Sequence, residues 1–511
     1  MSRVEQSVKN FKVSSFALGI SIILNFISRS VFIKNLGTDV VGLSSTLLNI
    51  LGFLNLAELG LTSAIAGTLY APLYNKDKEE IKDIISIFGF LYRIIGFTIL
   101  SVGVIVSFFL PYFFSNTGLP NSYIFAGYYI FLCANLVGYF ISYKQTLLVA
   151  DQREYIVTSY TYGAQVLKFV SQIVVLKYFE YGYIAWLGVE LFWGVIYGFA
   201  INRIVNKKYS WLITSYKRGK EVYRNYRQLF VTIKQVIPHN IGAFVLNQTS
   251  NILIYAFSSL TYVTIYTNYT MILVRCVNVL NICLRGVTAS IGNLIAEGEK
   301  NKIISVFYQF NVFFCLIGGT VCITCYYQTE SFINLWLGAG FLLDKWIFVC
   351  MLYVMYVGII RLPVNYYIGG FVLYKDVWAP IAEAVINLTV AITLGSVFGI
   401  GGVVLGTVVS LTLIIVLWKP FFLFKHGFRL SVLDYWRKMV IYLLILVPVS
   451  VIPYFLFQYN FMLDNNNVTG FLLNTIFIFV LVFSMYAFLL WILDKNLQMI
   501  LKRMFTIVFN R

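Results

Sequence analysis

Residues 270–290, TMILVRCVNVLNICLRGVTAS, set two arginines and two asparagines in a stretch otherwise apolar enough for a bilayer. On a helix turning about 100° per residue, with Arg275 at 0°, Asn278 falls near 300°, Asn281 near 240° and Arg285 near 280°. All four share an arc of about 120°, and Asn268 and Asn293 extend the stripe in both directions. A charged side chain at the centre of a membrane helix costs ~2.5–3.5 kcal/mol, and snorkelling relieves one such residue. A stripe this long must instead face protein or water. The chemistry it offers is anion capture, because the guanidinium fork matches phosphate oxygens two at a time.

Further polar residues sit within apolar stretches. Asn25 and Arg29 are spaced i, i+4, and Asn55 and Glu58 are spaced i, i+3. The cations inside apparent spans are Arg29, Arg93, Lys168, Arg275, Arg285 and Arg361; the acids are Glu58, Glu190 and Glu383. Three acids cannot neutralise six cations, and uncompensated positive charge in a wet cavity calls for an anion. Individual residues have plainer readings. Arg29, Arg285 and Arg361 are near enough to span ends to snorkel, and Arg93 or Lys168 can pair with Glu58 or Glu190. Arg93, about nine residues from the inner end of its span, is expected well inside. Glu58 is expected either to pair with a cavity arginine or to bind a coupling cation.

The elements that must position these residues follow from composition. The chain has 511 residues, 59% of them hydrophobic and 12% charged, with mean hydropathy +0.81. Soluble domains run near 25% charged, so this is an integral membrane protein. A bilayer core takes about 20 apolar residues per helix. That ruler gives spans near 13–33, 40–69, 84–110, 123–149, 156–178, 183–205, 236–258, 263–296, 303–327, 346–370, 377–398, 400–424, 439–457 and 469–492. Alternating from an inside N-terminus puts 29 Lys and Arg in inner segments and only Lys34, Lys177 and Lys345 in outer ones. The positive-inside rule therefore predicts fourteen spans with both termini cytoplasmic. It also accounts for most of the +17 net charge without nucleic acid.

KDIISIF (82–88) and KIISVF (302–307) enter the third and ninth spans alike, after LTSAIAG (61–67) and VTASIGN (287–293). The expectation is an all-α fold of two six-helix bundles about a central cavity, a transporter arrangement. Residues 1–205 form the N-lobe, 236–424 the C-lobe, and 425–511 carry two further helices and a basic tail. Between the lobes, 206–235 holds a basic amphipathic segment, GKEVYRNYRQLFVTIK (219–234), expected on the inner membrane surface; residues 497–509 repeat the pattern. The seven cysteines lie in apolar segments and read as small hydrophobes. With only His239 and His426, no histidine metal site is expected, nor any cofactor.

The stretch 28–81 carries a resemblance. Arg29, Phe32–Ile33, Leu36–Gly37, Gly42–Leu43, Glu58–Leu59–Gly60 and Leu69–Tyr70–Ala71–Pro72–Leu73 resemble the N-terminal signature of bacterial capsule and O-antigen repeat-unit flippases. YKQTLLVADQREY (143–155), NYTMILVR (268–275) and NLWLG (334–338) resemble later landmarks of that group. It belongs to the multidrug/oligosaccharidyl-lipid/polysaccharide exporter superfamily, which also holds multidrug antiporters and lipid II flippases. The resemblance implies alternating access in the bacterial cytoplasmic membrane, moving an oligosaccharide repeat unit on undecaprenyl pyrophosphate. It implies cavity cations at Arg29 and Arg275. Besides this substrate and membrane lipids, a polysaccharide polymerase and its chain-length machinery are the partners expected.

Two other classes compete. A drug or cation antiporter would favour an acidic cavity and twelve spans. A polymerase or ligase would carry a large outer loop with catalytic basic residues, whereas the longest outer loop here runs from about Gln328 to Lys345. A lipid II flippase often carries an Arg in span two, and this span has none. The residues point to a transporter, not an enzyme.

Overall fold

The computed structural model describes residues 3–58, 61–179, 182–227, 229–230, 248–283, 287–371, 373, 376–459, 462–465, 467–500 and 502. Among the described residues the secondary structure is helical throughout. Among the described residues eleven helices are long and apolar enough to cross a membrane, and the chain is a multi-pass membrane protein. The other expected spans fall on a 17-residue apolar helix at Thr38–Leu54, on a long but more polar helix at Glu154–Tyr178, and on 236–258, mostly outside the described residues.

The chain divides into two compact units, Met1–Thr264 and Ile265–Arg511. The first contains α1 (Arg3–Leu36), α2 (Thr38–Leu54), α3 (Leu61–Asn75), α4 (Lys78–Ser107), α5 (Asn121–Phe140), α6 (Glu154–Tyr178), α7 (Gly182–Lys208) and α8 (Tyr216–Val222). Within it α1 packs on α6, and α5 packs on α4 and α7. A Cβ at Gly42 of α2 would lie 2.1 Å from the Leu260 carbonyl oxygen, so glycine permits a backbone contact that no side chain allows.

The division falls within α9 (Leu260–Cys283), which is followed by α10 (Val287–Ala296). The second unit continues with α11 (Lys300–Trp336), α12 (Lys345–Gly370), α13 (Trp378–Phe398), α14 (Ile400–Phe428, with π turns at Thr412–Trp418 and Phe424–Phe428), α15 (Leu433–Gln458) and α16 (Val468–Leu493). α11 packs on α12 and α16, and α13 on α14. Its core includes a ring cluster in which fully buried Phe307 meets Phe428 at 5.0 Å and Tyr367 at 5.2 Å between centroids.

Two features of the structure bear on function. Span two, expected unbroken over 40–69, is interrupted: α2 ends at Leu54, a 3-10 turn covers Asn55–Glu58, and α3 starts at Leu61. The basic connector, expected on the inner membrane surface, packs on α4 as far as it is described. A Cβ at Gly219 would lie 2.2 Å from the Ser86 carbonyl oxygen, and Phe90 lies 5.3 Å and 5.6 Å from the rings of Tyr216 and Tyr223. Arg218 bridges Asp83 at 2.5 Å and Glu79 at 2.9 Å. Those bonds, to Asp83 first and Glu79 second, raise the guanidinium pKa above its ordinary value. The remainder of 219–234 and nearly all of the tail after Ile500 lie outside the described residues, as does His239.

Candidate functional site

The break in span two organises the polar centre of the first unit. Backbone that leaves the helix inside a membrane is tolerated where protein or a wet cavity satisfies it, and broken helices of this kind build transporter binding sites. Glu58 closes the 3-10 turn. Its Oε1 accepts from the Thr62 hydroxyl at 3.0 Å and from the Tyr92 hydroxyl, and its Oε2 accepts from Tyr139 at 2.6 Å. Asn55 Oδ1 accepts from Tyr139 at 3.0 Å and from the Asn135 amide at 2.8 Å. The phenol-bearing residues are buried, Tyr92 at 5% and Tyr139 at 3% exposure. Three hydroxyls thus hold a carboxylate that has no cation within ion-pair distance among the described residues. Of the two roles expected for Glu58, pairing with an arginine is not observed among them.

The sequence reading missed Tyr92, Asn135 and Tyr139. Asn135 and Tyr139 are spaced i, i+4 in span four, the same spacing that singled out Asn25 and Arg29. It also missed a second amide network: Asn49 donates to Gln248 at 2.6 Å and accepts from Asn251. Gln248 and Asn251 are one helical turn apart on 248–257.

The cations of this unit have different surroundings. Asn25 donates to the Ser21 carbonyl at 2.7 Å, and half-buried Arg29 lies one turn further along α1. Lys168 pairs with Glu190 at 2.7 Å, and Gln172 donates to the other Glu190 oxygen at 2.9 Å. Lys168 is therefore neutralised within the unit. Arg93, expected well inside, is exposed, with its guanidinium 5.3 Å from the Tyr216 ring centroid of the connector. At 30 residues, α4 spans about 45 Å against a core of about 30 Å. The connector packs along its first turns, and Arg93 meets that segment through the Tyr216 ring.

In the second unit, Arg275 is half-buried on α9 and forms no hydrogen bond or ion pair among the described residues. Asn278, one turn on, lines a largely apolar cavity of about 200 Å³ with Tyr266, Thr270, Met351 and Thr407. Asn268 is fully buried, and Asn293 is exposed on α10. Arg285 and the side chain of Asn281 lie outside the described residues. Arg361 on α12 is half-buried and attracted to Glu383 of α13, which is 6% exposed, without reaching ion-pair distance. Lys419 pairs with buried Asp376 at 2.6 Å, and Asn387 donates to Thr407 at 3.1 Å. No cluster of three His, Cys, Asp or Glu suited to a metal occurs among the described residues. Within the spans, then, Lys168 and Arg361 have acids nearby and Arg93 has a ring, while Arg275 has no polar partner among the described residues.

No family model matches the chain, and no curated protein matches it. Solved structures do. The lipid II flippase MurJ in an inward closed conformation superposes with a TM-score of 0.65 at 16% identity, covering 94% of this chain and 98% of that one. An inward-facing multidrug resistance MATE transporter of the MOP superfamily gives 0.56 at 13% identity, covering 81% and 98%. A MATE protein in a bent conformation gives 0.52 at 11% identity, covering 83% and 96%. The chain shares its fold with these MurJ and MATE structures.

Proposed function

We propose that this protein flips undecaprenyl-pyrophosphate-linked oligosaccharide repeat units across the bacterial cytoplasmic membrane by alternating access, for capsule, O-antigen or exopolysaccharide synthesis. The observation that carries the reading is Arg275, a half-buried guanidinium on an apolar helix with no polar partner among the described residues. Holding such a charge inside a membrane is costly, and a diphosphate that arrives as cargo offsets that cost through a bidentate, charge-assisted contact. Arg29 and Arg275 are the primary diphosphate ligands. Asn278 and Asn281 meet the first sugar, and Arg285 or Arg93 takes the headgroup nearer the surface. In this reading the lobes are 1–205 and 236–424, joined by 206–235, with 425–511 appended. Fourteen spans put both termini in the cytoplasm. Transport involves no covalent chemistry, and Glu58 in its cage of hydroxyls is the group through which a cation couples.

Lipid II flipping is a second reading, favoured by the fold likeness to MurJ over nearly the whole chain. It shares the diphosphate and differs in the glycan and peptide beyond it. The absence of arginine from 40–69 counts against it. Proteoliposomes loaded with either lipid-linked repeat unit or lipid II, probed by an impermeant glycan-modifying reagent, separate the two. Protein-dependent exposure of the repeat unit is expected. Exposure of lipid II alone would transfer the assignment to the second reading, and movement of neither would overturn both.

A further inference from the structure

A cavity of about 490 Å³ opens on the first unit, away from the break in span two, between the start of α2, the loop after α4 and the turn before α9. Its volume lies within the ~300–1,000 Å³ typical of small-molecule clefts. Three features define what it can hold. Its polar groups are a carboxylate (Asp39), an amide (Asn116) and hydroxyls that include Ser259 and Thr261, and among the described residues no lysine or arginine lines it. Two tyrosines bound it. Tyr112 is 86% exposed, while Tyr255 is fixed by its hydroxyl bond to the Phe113 carbonyl at 2.9 Å and by stacking on Phe114 at 5.0 Å. The Asp39 carboxylate is oriented in advance, because Thr261 donates to its Oδ1 at 2.6 Å and leaves Oδ2 as an acceptor.

This lining excludes a phosphate, which would meet a carboxylate and no cation. It suits a polyhydroxylated ligand, which needs alternating donors and acceptors for its hydroxyls and aromatic faces for its C–H surfaces. We propose that this cavity is a saccharide-binding site, separate from the intramembrane cations, that takes the glycan of the cargo on the outward side of the membrane; that placement rests on the flippase reading and its topology. The diphosphate and the glycan then have different receptors. The cationic one lies within the membrane, and the carboxylate-bearing one lies where the sugars emerge. A glycan held here biases the cargo against slipping back.

The test uses the full-length protein in lipid nanodiscs free of glycoside detergents, whose sugar headgroups would compete. Saturation-transfer NMR is recorded with maltotetraose and chitotetraose, and with inorganic pyrophosphate as the anionic control. Saturation should reach at least one saccharide, and the exposed-site substitutions Tyr112→Ala and Asn116→Ala should each weaken its binding about five- to tenfold. Pyrophosphate contact should be unchanged by either. Absence of transfer to every saccharide, or transfer indifferent to both substitutions, overturns the site. Wild-type flipping separates the two proposals: saccharide binding by a wild type that flips no lipid-linked glycan keeps the site and discards the flippase reading.

Discussion

The Tyr139 hydroxyl lies 2.6 Å from Glu58 Oε2 and 3.0 Å from Asn55 Oδ1, so one buried phenol on α5 spans both polar residues of the 3-10 turn that breaks span two. The turn is braced from a neighbouring helix as well as by its own backbone, where the Asn55 N–H bonds to the Gly52 and Phe53 carbonyls. Removing that hydroxyl with Tyr139→Phe leaves two acceptors short of a donor, a cost of ~1–3 kcal/mol. The variant should unfold earlier than wild type in a thermal assay on purified protein. Glu58→Gln keeps the size and can still accept from the hydroxyls, so it should fold normally yet export poorly. Wild-type export by Glu58→Gln would reduce Glu58 to a packing residue.

Lys168 and Glu190 give the opposite expectation. Their side chains are 20% and 23% exposed, so breaking the pair by Lys168→Gln should cost less than the ~3–5 kcal/mol of a fully buried pair, about 2 kcal/mol. The double variant Lys168→Gln, Glu190→Gln should recover most of that stability, because neither charge is left alone. Export per folded molecule should match wild type. A folded double variant that fails to export would return Lys168 to the cargo path.

These residues show what was legible in one dimension. The apolar spans and the all-helical fold could be read from composition, because a bilayer admits few alternatives. Candidate cations could be named because charge within such spans is rare. Which of them were neutralised could not be read. Lys168 and Glu190 are 22 residues apart on different helices, and only packing of α6 on α7 brings them together. The contact of Arg93 with Tyr216 could not be read either, because hydropathy registers apolar residues whether they face lipid or the protein segment docked on α4. The break at Asn55–Glu58 escaped for a related reason: no proline or glycine pair marks it, and its side-chain hydrogen bonds come from α3, α4 and α5.

Asp494 predicts a pH dependence. It follows the last turn of α16, and its side chain is 5% exposed. It accepts from Tyr442, from the Asn496 amide at 2.7 Å and from Lys438 at 3.2 Å. Burial pushes this carboxyl up, but the bonds from Tyr442 and Asn496 and the charge of Lys438 outweigh it, leaving the pKa below the ordinary 3.8. A depressed carboxylate stabilises the fold above its unfolded value and loses that contribution as pH falls through the folded one. The melting-temperature gap between wild type and Asp494→Asn should hold steady from about pH 8 to pH 5 and close towards pH 3. A gap that narrows near neutrality would contradict the assignment.

The charge asymmetry predicts topology. Single cysteines at Lys220 in the connector and at Asn116 after α4, in a background lacking reactive native thiols, should label oppositely with an impermeant maleimide on intact cells. Asn116 should react and Lys220 should not. The reverse pattern would invert the orientation and move the saccharide cavity to the cytoplasmic side.

The most direct test of the central claim is export by Arg275 variants, read as surface polysaccharide per unit of protein in the membrane. If this guanidinium receives the diphosphate, Arg275→Ala should abolish export at unchanged protein level. Arg275→Lys, which keeps the charge and loses the bidentate fork, should retain a partial rate. Normal export by Arg275→Gln at normal expression would make the residue an interfacial anchor and would contradict the account.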